Sequence, residues 1–232
     1  MTKQYQNINE WETIPGDRAL GIALAKADII DDQTPTVTDY QKNKLNTALG
    51  FVKNFTTAID AGASYGIMSY NLNKQFSKIY AFEVDISVRE CLKKNVEKFQ
   101  LDNVVVCECG LGDKEETVSL IYNKNTFCTH VNRMMSGTNI CKTLDSFELT
   151  EVGFIKLDCE GYEPYILQGA EHTIKKYKPV ILMENKNYSN RYYGEEGNLA
   201  VDLLLAWGYT MEVSWPKDCV MVHNPASDEK HR

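Results

Sequence analysis

From about residue 57 the chain alternates short apolar runs with longer amphipathic ones. The segments 57–60 (TAID), 78–83 (KIYAFE), 104–107 (VVVC), 154–158 (FIKLD) and 180–184 (VILME) have the length and β-branched content of buried strands. Between the first three lie 66–76 and 87–99, and the second of these sets Val88, Leu92, Val96 and Phe99 on one helical stripe. Strands alternating with helices predict a mostly parallel sheet covered on both faces, a doubly wound α/β fold. After a helix expected over 197–206, the apolar runs 209–213 and 219–223 are separated by a connection too short for a crossover, so they must pair antiparallel. The first 54 residues combine a polar start, an apolar run at 19–30, an acidic turn at Asp31 and Asp32, and a helix expected over 39–54. They read as a helical cap on a core at 55–232, within one domain, because no repeat, low-complexity stretch or linker divides the chain.

Composition removes several classes of function. No run of 18 apolar residues exists and the first twenty residues lack the regions of a signal peptide, so neither a membrane span nor export is expected. With 32 Asp+Glu against 25 Lys+Arg, the net charge of −7 argues against a broad nucleic-acid surface. Seven scattered cysteines do not form the framework of a secreted domain and suit a reducing cytoplasm.

The glycine-rich turn Asp60-Ala61-Gly62-Ala63-Ser64-Tyr65-Gly66 follows the first strand and opens a helix, where a doubly wound sheet binds its ligand. Small residues let backbone approach a cofactor, and free helix N–H groups receive an electron-rich group. The spacing is D-x-G-x-x-x-G, one glycine short of the dinucleotide fingerprint, which disfavours a nicotinamide or flavin dinucleotide. Glu83 ends the second strand 23 residues after Asp60, at the place of an acid that chelates a ribose diol. The bland alternative is a plain strand-to-helix turn followed by a solvated strand end.

Six ordered blocks then carry a resemblance. They are residues 59–66 (IDAGASYG), 80–83 (YAFE), 110–113 (GLGD), 142–147 (KTLDSF), 154–163 (FIKLDCEGYE) with 167–170 (LQGA), and 179–184 (PVILME). In these the chain resembles the FkbM-type S-adenosylmethionine-dependent methyltransferases, and the Lys-x-Asp-x-Glu-Gly-x-Glu block is the most specific. Two departures are Ser64, where the family usually has Asn, and Val84, where Pro commonly follows the acid. The resemblance implies a Rossmann-like class I methyltransferase fold: a mostly parallel sheet of about seven strands ending in an antiparallel hairpin, with helices on both faces. It implies S-adenosylmethionine as cofactor, with S-adenosylhomocysteine as product. Asp60, Gly62, Ala63, Ser64 and Gly66 would surround the amino-acid end, Glu83 with Val84 the ribose, and the 109–113 segment, with Gly110 and Leu111, the adenine.

The remaining chemistry gathers at the carboxyl ends of the fourth and fifth strands. Asp158, which the cofactor also borders, and Glu184 come from neighbouring strands and are placed to converge. Methyl transfer to oxygen requires in-line approach and loss of the acceptor proton, so a positioned carboxylate can orient the hydroxyl and take the proton. Lys156, Asp158, Glu160 and Glu184 are the candidates. A divalent cation on these carboxylates is an alternative, although no metal is assigned from the sequence. Glu160 and Glu163 can equally be helix caps, and Lys156 with Asp158 a buried pair without catalytic role.

The polar segment 123–141 reads as an acceptor-binding loop, with His130 and Arg133 as contacts, or equally as a plain surface loop. The cluster Tyr188, Arg191, Tyr192 and Tyr193 could stack on a sugar ring but reads first as a half-buried Tyr-rich loop. Cys107-x-Cys109 lacks the second pair of a zinc site. Lys175, Lys176 and Lys178 suit a helix C-terminus. The expected function is O-methylation of a hydroxyl on a small molecule or glycan. N-methylation, methylation of nucleic acid, and a non-catalytic cofactor-binding protein are its rivals; Asp158-Cys159-Glu160-Gly161 is not the Asn/Asp-Pro-Pro-aromatic signature of the nucleic-acid enzymes.

Overall fold

A computed structural model describes residues 10–15, 17, 23, 36–122, 129–185, 188–194 and 197–226, with backbone alone at 188–190. In chain order the elements begin with α1 (Lys42–Leu49), β1 (Thr57–Ala61), α2 (Ile67–Leu72), β2 (Lys78–Phe82), α3 (Ile86–Lys98) and β3 (Val104–Cys107). Four short strands follow: β4 (Gly110–Leu111), β5 (Glu116–Tyr122), β6 (Thr129–Asn132) and β7 (Asn139–Lys142). The chain continues through β8 (Val152–Leu157), α4 (Glu163–Gln168), α5 (Glu171–Tyr177), β9 (Val180–Glu184), α6 (Tyr188–Tyr193), α7 (Leu199–Ala206), β10 (Tyr209–Ser214) and β11 (Asp218–His223).

Seven strands form the main sheet in the order β10-β11-β9-β8-β1-β2-β3. The five from β3 to β9 are parallel, and β11 and β10 add an antiparallel end, as the hairpin spacing predicts. Alternation along the strands sends two apolar sets to opposite faces. Ala58, Ala81, Phe154, Leu182 and Val220 join Leu45, Leu72 and Leu92 on the side of α1, α2 and α3. Ile59, Phe82, Ile155, Met183 and Met221 join Ile166, Ile174 and Leu204 on the other. Each such large side chain contributes roughly 1.5–3 kcal/mol of burial, so the two layers hold the strand ends that carry the site. Asp85 caps α3, its Oδ1 accepting the N–H groups of Ser87 and Val88. Lys175 and Lys176 occupy the last turn of α5.

The structure departs from the sequence reading in two segments. The helix expected over 39–54 is a 3-10 turn at Val37–Asp39, a left-handed Gln41 with φ 55°, and then α1. Asn43, Asn46 and Thr47 are weak helix formers and Gly50 ends the helix. The described part of the 123–141 segment is not a loop: it carries β6 and β7, which join β4 and β5 in a second sheet of order β4-β7-β5-β6. β6 buries Val131 alone and β7 buries Asn139 and Cys141, so neither presents an apolar run. Pairing with β5 makes them strands.

Trp11 packs edge-on against Phe99, with centroids 4.6 Å apart, and Glu12 exchanges two hydrogen bonds with Asn95 of α3. Of the apolar run 19–30 only Ala23 is described, and it is buried; Asp31, Asp32 and Cys128 lie outside the described residues. Among the described residues no helix is long and apolar enough to cross a membrane, and six cysteines are free thiols.

Candidate active site

The turn after β1 needs its glycines. Gly62 has φ 77°, and a Cβ there would lie 2.1 Å from the carbonyl oxygen of Asp158, so the turn crosses the end of β8 in backbone contact. The N–H groups of Gly62 and Ala63 both donate to the Phe82 carbonyl at 3.0 Å, tying the turn to β2. Gly66, with φ 95°, opens α2 against Leu92.

Glu83 lies where β2 ends and is 9% exposed. Its Oε2 accepts the Ser64 N–H and its Oε1 the Asp85 N–H, each at 2.9 Å. It thus bridges the glycine turn and the start of α3, and each oxygen keeps a lone pair for a further donor. Burial pushes its carboxyl up to about 7. Val84 packs on Gly110, where a Cβ would come within 2.6 Å, and Leu111 is buried, so the segment expected near adenine abuts the residue after the acid.

Asp60 is turned inward. It is 1% exposed, its Oδ2 accepts the Ser69 hydroxyl at 2.5 Å, and burial pushes its carboxyl up to about 6. On the next strand Lys156 stands in register with Asp60, and its buried Nζ lies 3.0 Å from Asp158 Oδ2. Lys156 also pairs with Leu182, so two residues further along the two strands Asp158 comes beside Glu184. Oxygens of Asp158, Glu160 and Glu184 lie within 4.8 Å of one another.

The cap reading separates the two glutamates. Glu163, in the first turn of α4, accepts the Cys159 N–H at 2.8 Å, and burial pushes its carboxyl up to about 7. Glu160 precedes the helix with φ 52°, followed by Gly161 at φ 94°. A non-glycine residue held left-handed costs about 1–2 kcal/mol, and here the turn places the Glu160 carboxylate with Asp158 and Glu184.

The acceptor-side candidates are distributed differently. Arg133 is bound within the protein: it forms a bidentate pair with Asp113 at 3.0 Å, donates to the Tyr162 hydroxyl at 3.0 Å and lies 3.8 Å from the Tyr165 ring centroid. It ties the small sheet to the start of α4. His130 stacks on Tyr192 at 4.0 Å and the Tyr193 hydroxyl donates to the Val131 carbonyl, so β6 and α6 meet. The Tyr188 side chain lies outside the described residues. Two residues not read from the sequence adjoin the carboxylates: Asp218, in register with Glu184, and Lys44 of α1, whose Nζ is 2.5 Å from Asp218 Oδ2. No linear motif contains them.

The raised carboxyls set a pH dependence. Asp60, Glu83 and Glu163 hold protons in the fold up to about 6, 7 and 7, while their unfolded counterparts release them from ordinary values of 3.8 and 4.5. Between those limits the folded state binds more protons, so stability falls as pH rises, by up to ~1.4 kcal/mol per unit for each group. Calorimetric melting of the ligand-free protein is expected to drop from pH 5 to pH 8. A melting temperature that climbs over that range would mean that the three carboxyls are ionised and compensated in the fold.

A doubly wound sheet with an antiparallel end, a glycine turn after its first strand and an acid after its second is the frame of the Rossmann-like methyltransferases. The sequence profile of the methyltransferase FkbM domain matches residues 60–211, more than half of the chain, and the chain belongs to that family. Among solved structures it is similar to methyltransferase FkbM from Methylobacillus flagellatus, with TM-score 0.51 and 16% identity over 88% of this chain, and it spans 58% of that protein's chain. A precorrin-6y C5,15-methyltransferase from Geobacter metallireducens aligns with TM-score 0.49 and 14% identity, covering 78% of this chain and 86% of the other. TrmK of M. capricolum, solved with S-adenosylhomocysteine, aligns with TM-score 0.43 and 13% identity, covering 77% of this chain and 66% of the other. No curated protein matches the chain in sequence.

Proposed function

We propose that the protein transfers the methyl group of S-adenosylmethionine to a hydroxyl of a small molecule or glycan, as a single cytoplasmic domain with the N-terminal segment as its cap. The carrying observation is the convergence of Asp158, Glu160 and Glu184 within 4.8 Å at strand ends that the glycine turn crosses in backbone contact. The residues fit the cofactor. Gly62 leaves the backbone bare, Glu83 keeps acceptor capacity beside the amides of Ser64 and Asp85, and Val84 and Gly110 leave the adenine side lined by small and apolar groups. When bound, S-adenosylmethionine supplies an electrophilic methyl group. Asp158 would then orient the acceptor hydroxyl and take its proton as the C–O bond forms and the methyl–sulfur bond breaks, with S-adenosylhomocysteine as the leaving group. Lys156 holds Asp158 by its 3.0 Å contact, and Glu160 and Glu184 accept neighbouring hydroxyls of a polyol. The same carboxylates repel a phosphate backbone, which with the net charge of −7 disfavours a nucleic-acid acceptor.

Calorimetry is expected to find S-adenosylhomocysteine binding at roughly micromolar or tighter, about −8 kcal/mol. Transfer of labelled methyl is expected to sugars or nucleotide sugars and not to RNA. Absence of binding heat would remove the cofactor, and label on RNA or on an amine would replace the acceptor class.

A further inference from the structure

Two charged side chains outside the residues matched by the family profile, Lys44 and Asp218, complete the carboxylate edge. Asp218 opens β11 opposite Glu184, and directly paired residues send their side chains to one face. That is the face of Asp60, Lys156 and Leu182, covered by α1. Asp218 is 3% exposed, and Lys44 reaches it from α1 at 2.5 Å.

Lys156 is a buried cation with several acids around it. Three carboxylates bear on it, Asp158 most strongly, then Asp218 and Asp60, and the Asp158 contact is the 3.0 Å pair. A second buried carboxylate without its own cation competes for that charge. Asp60 is relieved by the Ser69 hydroxyl, and burial pushes its carboxyl up to about 6. Asp218 is relieved by Lys44.

We propose that Lys44 is a positioning residue of the transfer site: by neutralising Asp218 it leaves Lys156 to Asp158, so the N-terminal helix sets the charge of a site built by the sheet. This rests on the reading of Asp158 as the group that orients and deprotonates the acceptor. Among the described residues, Lys156, Cys159 and Glu160 from its own segment, Asp60 of β1, Glu184 of β9, Glu163 of α4 and Tyr40 from the N-terminal side face Asp158, while Asp218 of β11 acts on Lys156 and Lys44 on Asp218. The order of events follows from charge alone. Removing the Lys44 cation frees Asp218 to draw on Lys156, and Asp158 becomes harder to ionise. Removing Asp218 as well returns Lys156 to Asp158.

The test uses full-length protein labelled with 13C at the aspartate carboxyls, with Asp158→Asn assigning the resonance. Lys44→Met is expected to raise the Asp158 titration midpoint, and Lys44→Met/Asp218→Asn to bring it back. Lys44→Gln serves if the Met variant does not fold. On an accepted substrate, Lys44→Met is expected to lower kcat about tenfold, with KM for S-adenosylmethionine unchanged and Lys44→Arg restoring the rate. An Asp158 midpoint that stays put in folded Lys44→Met or Lys44→Gln overturns the proposal, as does a double variant as impaired as the single. Calorimetry with S-adenosylhomocysteine on the wild type reads the methyltransferase assignment separately, and the titration arm decides the Lys44 coupling whatever its result.

Discussion

Asp158→Asn is expected to lower kcat by about 10²–10⁴-fold, the usual worth of a positioned general base, while affinity for S-adenosylhomocysteine stays at the wild-type value. Asn keeps the size of the side chain and an oxygen toward Lys156 Nζ, 3.0 Å away. It lacks the negative charge that orients an acceptor hydroxyl and the basicity that takes its proton. Breaking a buried ion pair costs roughly 3–5 kcal/mol when the remaining charge is left alone. Two circumstances reduce that cost here: the Asp158 side chain is 27% exposed, and Asp60 and Asp218 still bear on Lys156. The variant is therefore expected to fold, which circular dichroism checks before kinetics are read. Full activity in a folded Asp158→Asn protein would make the Lys156–Asp158 pair structural and move proton transfer to Glu160 or Glu184.

Glu83→Ala should weaken S-adenosylhomocysteine binding by about 1.5–3 kcal/mol, or roughly 10- to 150-fold, the worth of charge-assisted hydrogen bonds. The loss has two sources. The ribose hydroxyls lose their acceptor, and the Ser64 and Asp85 amides, which now donate to the two carboxylate oxygens at 2.9 Å, lose the clamp that joins the glycine turn to the start of α3. Burial pushes Glu83 up to about 7, and hydroxyl donors prefer the ionised carboxylate, so wild-type affinity is expected to rise with pH through 7. The Ala variant should lose that pH dependence together with the affinity. Equal affinity in the two proteins by calorimetry would take Glu83 away from the ribose.

The parts of the site legible in the sequence are those carried by local pattern. The glycine turn, Glu83 and the Asp158–Glu160 segment each follow a short apolar strand, and a doubly wound sheet sends every such strand end to one edge. Glu184 was legible for the same reason. The acceptor side was less so. Arg133, an exposed-looking basic residue in a polar segment, is engaged by Asp113, Tyr162 and Tyr165, and its partners lie 20 to 32 positions away along the chain. The strands around it show no apolar alternation in the sequence, because β6 buries Val131 alone and β7 buries polar Asn139 while exposing Ile140, and they form because β5 offers open hydrogen-bonding groups on both sides.

Sequence by itself determined the seven strands of the main sheet, its parallel order with an antiparallel end, and the acids at its carboxyl edge, because burial of apolar runs and the reach of short connections depend on near neighbours in the chain. Only tertiary structure decided the state of those acids. Asp60 faces Ser69, Glu163 serves the Cys159 amide, Glu160 is turned toward Asp158 by a left-handed backbone, and Lys44 meets Asp218 across 174 positions. Charges interact through space and through the dielectric around them, and neither follows from distance along the chain.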